Sequence, residues 1–184
     1  LCAAALVFAA VPAEVRAEDG SSAVSETNDI FCDYSVVSEM SKTAILIECT
    51  GAAGDFTVPA TVNGYTVIGI DDKLFSGNMD ITSLTVPEGV TSIGEYAFSG
   101  CLNLETVRLP NSLTTMGTGC FFSCTSLNTV KIGRSLEAVP ERCFDSCAGL
   151  MNVEIPYSVK SIGSEAFFGC SEISGLRIPE SVEI

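Results

Sequence analysis

The chain has 184 residues and a formal net charge of −14, with nine Lys and Arg against 23 Asp and Glu. Hydrophobic residues make up 47% of the chain, which is enough for a core and excludes disorder of the whole chain. Because the chain has no His, it cannot form His-dependent catalytic triads or His-ligated metal sites. The excess of acidic over basic residues opposes nucleic-acid binding, which needs a basic surface.

The first 17 residues predict a secretion signal. Leu1 to Pro12 form an apolar run that is shorter than the roughly 20 residues of a transmembrane helix. Val15 and Ala17 then stand at the −3 and −1 positions of a cleavage site. We expect residues 1–17 to be a signal peptide truncated at its start, with a buried N-terminal helix as the alternative. The protein would then be secreted, extracellular or at the cell surface, with no transmembrane segment in this chain.

Two segments precede the main part of the chain. Residues 18–30 are mostly polar and aperiodic, and they predict a flexible linker. Residues 31–56 predict a capping β-hairpin in which paired residue numbers sum to 81, so that Cys32 faces Cys49. In that register Tyr34 also faces Ile47, and Val36 faces Ile45. We expect this apolar face to cover the first coil of the segment that follows.

A 23-residue repeat occupies the second half of the chain. Gapless rows cover residues 81–103, 104–126, 127–149 and 150–172, and a partial row ends the chain. A fixed period of this size indicates a solenoid. In each row a short strand with alternating apolar residues, such as Leu84 and Val86, is followed by a turn and a bend with a buried Phe. Since one coil cannot bury its own apolar face, stacking of the coils supplies the core.

An earlier coil begins near Thr57 and contains five extra residues, Asn63 to Val67, whose Asn-Gly pair predicts a tight turn. We therefore expect a solenoid of about five coils over residues 57–184, truncated at its C-terminal end.

The repeats resemble the BspA-like, or treponemal, class of leucine-rich repeats, whose pattern is approximately L-x-x-V-x-I-P-x-x-V-x-x-I-G-x-x-A-F-x-x-C. The row that starts at Leu150 matches every position, including Pro156, Phe167 and Cys170. The resemblance implies a solenoid with short parallel strands on the concave face and an irregular or short-helical convex side. It also implies a secreted or cell-surface protein, mostly bacterial, that is non-catalytic and associated with adhesion.

The cysteines fall into two groups. One column at the 23-residue period contains Cys101, Cys124, Cys147 and Cys170. We expect buried thiols there that act as small core hydrophobes, with a Cys120–Cys143 disulfide or a zinc site as alternatives. Cys32 and Cys49 face each other across the predicted hairpin, so a disulfide and two buried free thiols are both open. We expect no metal and no cofactor.

The candidate binding site is the set of strand residues between the buried ones, because in such repeats they face the concave side. The central column is Thr85, Arg108, Lys131, Glu154 and Arg177, and the flanking column includes Thr106, Thr129 and Asn152. Three basic residues and one acid give the central column a charge of +2 in a chain of −14. This strip is suited to orient an acidic protein or an anionic glycan. Alternatively, Glu154 pairs with Lys131 and Arg177 in a solvated ladder of low energy.

These patterns predict a recognition module that binds a protein or glycan of a host or neighbouring cell through its concave face. The alternative is a structural or targeting module of a larger surface enzyme. We do not expect the chain itself to be an enzyme. Glycoside hydrolysis needs two facing acids, and the central column offers only Glu154.

Overall fold

A computed structural model describes residues 30–183 of the protein. The predicted signal peptide lies outside the described residues, and so does the predicted linker except for its last residue, Ile30. The structure buries Ile30 in the hydrophobic core, so the prediction of a linker as far as residue 30 was wrong at that position. Burial removes the apolar side chain of Ile30 from water, and this stabilises the folded chain.

The described chain is built of strands and turns. The strands are β1 (Phe31–Ser38), β2 (Thr43–Thr50), β3 (Gly54–Thr57), β4 (Thr61–Val62), β5 (Tyr65–Ile70), β6 (Ile81–Thr85), β7 (Ser92–Ile93), β8 (Thr106–Arg108), β9 (Thr115–Met116), β10 (Thr129–Lys131), β11 (Ala138–Val139), β12 (Asn152–Glu154) and β13 (Ser161–Ile162). Between residues 30 and 183 there is no helix of the length and apolarity that crossing a bilayer requires.

The main sheet has five parallel strands in the spatial order β12-β10-β8-β6-β3. Successive strands in this sheet come from successive coils, and residues 23 apart in sequence lie opposite each other from β6 to β12. The prediction of a solenoid with about five coils is therefore confirmed. The structure places β3 in this sheet, although the sequence had assigned residues up to 56 to the cap.

Each coil contributes a second short strand after the turn. The pairs β5–β7, β7–β9 and β11–β13 are parallel and repeat the 23-residue spacing. The remainder of each coil is a bend with two left-handed residues, such as Tyr96 (φ 52°) and Gly100 (φ 70°). Because left-handed residues interrupt a right-handed helix, the bends are irregular turns and not short helices.

The first two strands form an antiparallel hairpin that joins the second sheet through the parallel pairing of β2 with β5. Cys32 lies opposite Cys49, but an irregularity after Asp33 places Tyr34 opposite Leu46. The expected pairs of Tyr34 with Ile47 and of Val36 with Ile45 were therefore wrong. Ala44 and Leu46 are buried instead, while Val36 and Ile47 are exposed. The run Ala44–Ile47 is apolar throughout, so its pattern did not specify which face is buried.

One continuous hydrophobic core runs through the hairpin and the coils. At its centre is a column of phenylalanine rings with centroids 5.0–5.6 Å apart, formed by Phe56, Phe75, Phe98, Phe121, Phe144 and Phe167. Aromatic contacts of this kind contribute about 0.5–1.5 kcal/mol each beyond the burial of area. The stacked rings hold the coils in register, and this register positions the outer side chains of the main sheet.

Candidate functional site

The outward side chains of β6, β8, β10 and β12, called the strand face below, form two rows across the coils. The central row contains Thr85, Arg108, Lys131 and Glu154, which lie opposite one another on neighbouring strands. Arg108, Lys131 and Glu154 are exposed, and Thr85 is half-buried. Since neighbouring strands are about 4.8 Å apart, the row places a charged group at each of three successive steps.

The flanking row lies two residues earlier on each strand. Thr106, Thr129 and Asn152 are in register with one another, and the two threonines are half-buried. Val107 and Val130, which separate the two rows, point into the core. This alternation follows from the period of two in a strand, and it leaves small polar groups beside the charged row.

Arg177 lies outside the strand face. It is exposed, but residues 174–180 form no strand and do not pair with β12. Gly175 stands where the preceding coils have Thr106, Thr129 and Asn152, and a glycine weakens a strand. The row of charges that the structure assembles therefore ends at Glu154.

The charged side chains of the strand face are not neutralised by one another. The ion pairs within residues 30–183 are Lys42 with Glu39 and Arg142 with Glu141, Asp145 and Glu165. Lys131 and Glu154 are neighbours in the register but form no ion pair. Within residues 30–183, Glu154 therefore does not form the alternative ladder of ion pairs with Lys131 and Arg177. In the same described range, the cations of Arg108 and Lys131 are exposed to solvent and form no ion pair.

The repeated cysteines are free thiols inside the coils. Each donates a hydrogen bond to the carbonyl oxygen of a phenylalanine 26 residues earlier, in the preceding coil. The donor and acceptor pairs are Cys101 with Phe75 at 3.2 Å, Cys124 with Phe98 at 3.1 Å, Cys147 with Phe121 at 3.1 Å and Cys170 with Phe144 at 3.0 Å. The sequence indicated the burial of this column but not its role as a hydrogen-bond donor between coils.

Burial disfavours the thiolate form of several coil cysteines. It raises the pKa of the Cys120 and Cys143 thiols far above the ordinary value, and it raises the pKa of Cys170 to about 12. The thiolate is the form that attacks substrates and binds metals, and these thiols stay protonated at neutral pH. Cys120 and Cys143 are both free, and no group of potential metal ligands occurs within residues 30–183.

A disulfide joins Cys32 on β1 to Cys49 on β2, with the two Cα atoms 4.1 Å apart. The bond closes the hairpin next to buried Ile30, at the end of the molecule opposite to β12. The strand face lies on the other sheet, so this disulfide supports the scaffold and not the binding row.

Comparison with known proteins places the chain in a family. A family model described as "BspA type Leucine rich repeat region (6 copies)" matches residues 68–184. The chain belongs to the BspA-type leucine-rich-repeat family. The resemblance seen in the sequence is thereby confirmed, and membership of the BspA-type family indicates a surface module that binds proteins. Comparison with curated protein sequences gives no significant match.

Solved structures of BspA-type and related repeat proteins share this fold. A leucine-rich-repeat protein from T. pallidum is 31% identical, with a TM-score of 0.76, over 80% of this chain and 69% of its own. A leucine-rich cell-surface protein from Faecalibacterium prausnitzii is 24% identical, with a TM-score of 0.58, over 88% of this chain and 49% of its own. For a leucine-rich-repeat protein from Eubacterium ventriosum the identity is 25% and the TM-score 0.56, over 72% of this chain and 40% of its own. The chain thus spans half or less of the last two proteins.

Proposed function

We propose that the protein is a secreted, non-catalytic recognition module that binds a macromolecule of a host or neighbouring cell through the strand face. One observation carries the proposal. Arg108 and Lys131 lie side by side on adjacent strands, exposed and without an ion pair within residues 30–183, in a chain of charge −14. Unpaired cations on a rigid sheet give an acidic partner a complementary surface, and the negative remainder of the chain repels it.

The polar side chains of the strand face suit a protein partner. The flanking row of Thr106, Thr129 and Asn152 supplies small hydrogen-bonding groups beside the cations, so that many weak contacts add up over a repeated surface. Glu154 at the end of the charged row limits the surface that an acidic partner can contact, because its carboxylate repels an acidic group that Lys131 attracts. An anionic glycan is the other partner class with matching charge, and the experiment separates the two.

The test is to probe an array of purified extracellular-matrix and serum proteins, and a glycan array in parallel, with the full chain. The double reversal Arg108→Glu/Lys131→Glu should abolish binding to a captured protein. The matched control is Lys73→Glu/Lys160→Glu, which changes the net charge equally but lies away from the strand face. Capture that persists in the Arg108→Glu/Lys131→Glu variant would overturn the proposal.

Two other outcomes change the assignment. Binding to glycans alone, lost in the same reversal variant, would replace the protein partner by a glycan. Turnover of peptide or glycoside substrates by the full chain would overturn the non-catalytic assignment.

A further inference from the structure

A groove of about 570 Å³ borders the strand face at the carboxyl ends of β6, β8 and β10. Three successive coils form it with the same four positions, which are the last strand residue, a buried apolar residue, a turn residue and the residue that follows. The turn residue is Pro87, Pro110 and Gly133 in the three coils. The groove therefore includes three members of the central row, Thr85, Arg108 and Lys131, and extends past the strand ends across three coils.

The groove is electropositive in a strongly acidic protein. Arg108, Lys131 and Arg134 line it, which is three of the nine basic residues of the chain. None of these three forms an ion pair within residues 30–183. Glu88 is the one acid in the lining, so the groove carries a net charge of +2. An anionic ligand is attracted to this groove and repelled by most of the remaining surface.

Glu88 is held by the next coil and not by the cations. Its carboxylate accepts hydrogen bonds from the backbone N–H of Asn111 at 3.0 Å, from the Asn111 side-chain amide at 3.2 Å and from the backbone N–H of Ser112 at 3.1 Å. The backbone and side-chain amides of Asn111, together with the Ser112 N–H, hold the pKa of the Glu88 carboxyl below its usual range. The guanidinium and ammonium groups of the groove thus remain available for a ligand.

The same series of hydrogen bonds holds the backbone of Arg134 in place. The side-chain oxygen of Asn111 accepts the backbone N–H of Arg134 at 3.2 Å, which links the turns of three coils through Glu88, Asn111 and Arg134. The turn at Gly133 packs closely on the previous coil, because a β-carbon there would lie against the carbonyl oxygen of Pro110. The other coils have Glu88, Asn111, Tyr157 and Glu180 at the position of Arg134, so this cation is specific to one coil.

The geometry points to an extended, acidic peptide segment of the partner as the ligand of this groove, with its carboxylates held by Arg108, Lys131 and Arg134. This inference rests on the proposed function, because it names the part of a protein partner that the binding surface takes. Arg108 and Lys131 lie opposite each other on strands about 4.8 Å apart, so one carboxylate can contact both. Alternate side chains of an extended peptide point the same way about 7 Å apart, which lets a second carboxylate meet Arg134.

The lining favours a peptide over a sulfated glycan. Pro87 and Pro110 give the groove an apolar part that can pack against side-chain methylene groups, and no aromatic ring lines it for a sugar to stack on. Glu88 would repel a continuous polyanion, whereas a peptide can place a neutral residue opposite it.

The experiment measures fluorescence anisotropy with the full chain and a labelled peptide of about eight residues in which Asp and Ser alternate. A peptide with Asn in place of Asp is the charge control, and heparin represents sulfated glycans. We expect the aspartate peptide to bind, the asparagine peptide not to bind, and affinity to fall as salt is raised. Arg134→Gln should weaken binding about threefold, and Arg108→Gln/Lys131→Gln/Arg134→Gln about tenfold or more.

The variant Lys73→Gln/Lys160→Gln should bind the aspartate peptide like the wild type, and circular dichroism should show that every variant is folded. Equal affinity of Arg134→Gln and wild type would overturn the groove assignment. Binding of heparin in place of the peptide, with the same dependence on Arg134, would overturn the peptide as ligand. If no peptide binds while a captured protein still depends on Arg108 and Lys131, this inference fails and the proposed function stands.

Discussion

Cys147 donates its thiol hydrogen to the backbone carbonyl of Phe121, 3.1 Å away in the preceding coil. The thiol is fully buried, and so is the phenylalanine ring whose carbonyl it contacts. The contact recurs in four coils, so a side chain counted among the core hydrophobes also satisfies a polar atom of the neighbouring coil.

This contact predicts that Cys147→Ala lowers the free energy of unfolding by about 1–2 kcal/mol, because it removes both a packed sulfur and a hydrogen-bond donor. Cys120→Ala is the matched control. Cys120 is equally buried, its thiol donates no hydrogen bond in the described structure, and Ala97 and Ala166 occupy its column in other coils. Urea denaturation should therefore show a smaller loss for Cys120→Ala. Equal losses would contradict a stabilising role of the thiol hydrogen bond.

A second prediction concerns Gly133, which is not replaceable by a larger residue. A β-carbon at this position would overlap the carbonyl oxygen of Pro110. Gly133→Ala should therefore destabilise the protein by about 2 kcal/mol or more, since backbone must move to relieve the overlap. Gly175→Ala should stay within about 0.5 kcal/mol of wild type, because nothing lies within 4 Å of a β-carbon there. Thermal denaturation of both variants checks the contrast, and a neutral Gly133→Ala would show that the coils can separate without cost.

The buried thiols predict that stability falls in alkaline solution. Burial raises the pKa of Cys120 and Cys143, so these thiols stay protonated when folded and ionise near their ordinary pKa, about 8.5, when unfolded. Their contribution is complete below that pH and is lost as the pH rises above it. Each thiol that ionises only in the unfolded chain lowers the free energy of unfolding by about 1.4 kcal/mol per pH unit.

The measurement is urea denaturation between about pH 7 and pH 10, where the unfolded thiols titrate. The variant Cys120→Ala/Cys143→Ala should show a shallower decline than wild type, because alanine does not ionise. Identical slopes for the two proteins would contradict the assignment of the decline to these thiols.

A fourth prediction concerns the disulfide between Cys32 and Cys49. The bond closes a loop across a sequence separation of 17, so its reduction should destabilise the protein by about 3 kcal/mol. Intact mass should rise by about 2 Da with reductant, as expected when one cystine becomes two cysteines. The control is Cys32→Ala/Cys49→Ala, whose stability should not respond to reductant. A wild-type mass that does not change with reductant would show that the two thiols are free.

The 23-residue period was sufficient to predict the stacked coils, the buried columns of leucine, phenylalanine and cysteine, and the register of Arg108 with Lys131. Each of these depends on residues that repeat at equivalent positions, and stacking transfers the sequence register directly to space. Prediction was weakest where the repeat is interrupted. The hairpin register was wrong after Asp33, and the partial row at Arg177 did not join the sheet.

The amino-acid sequence by itself determined the class of this protein, since a repeat of apolar residues every 23 positions can bury its core only by stacking. The tertiary structure alone decided which charged residues are free to bind. Whether Lys131 pairs with Glu154, and whether Arg134 joins Arg108 in one groove, depends on side-chain directions and on the turn at Gly133. Those features follow from contacts between coils, which a linear pattern does not contain.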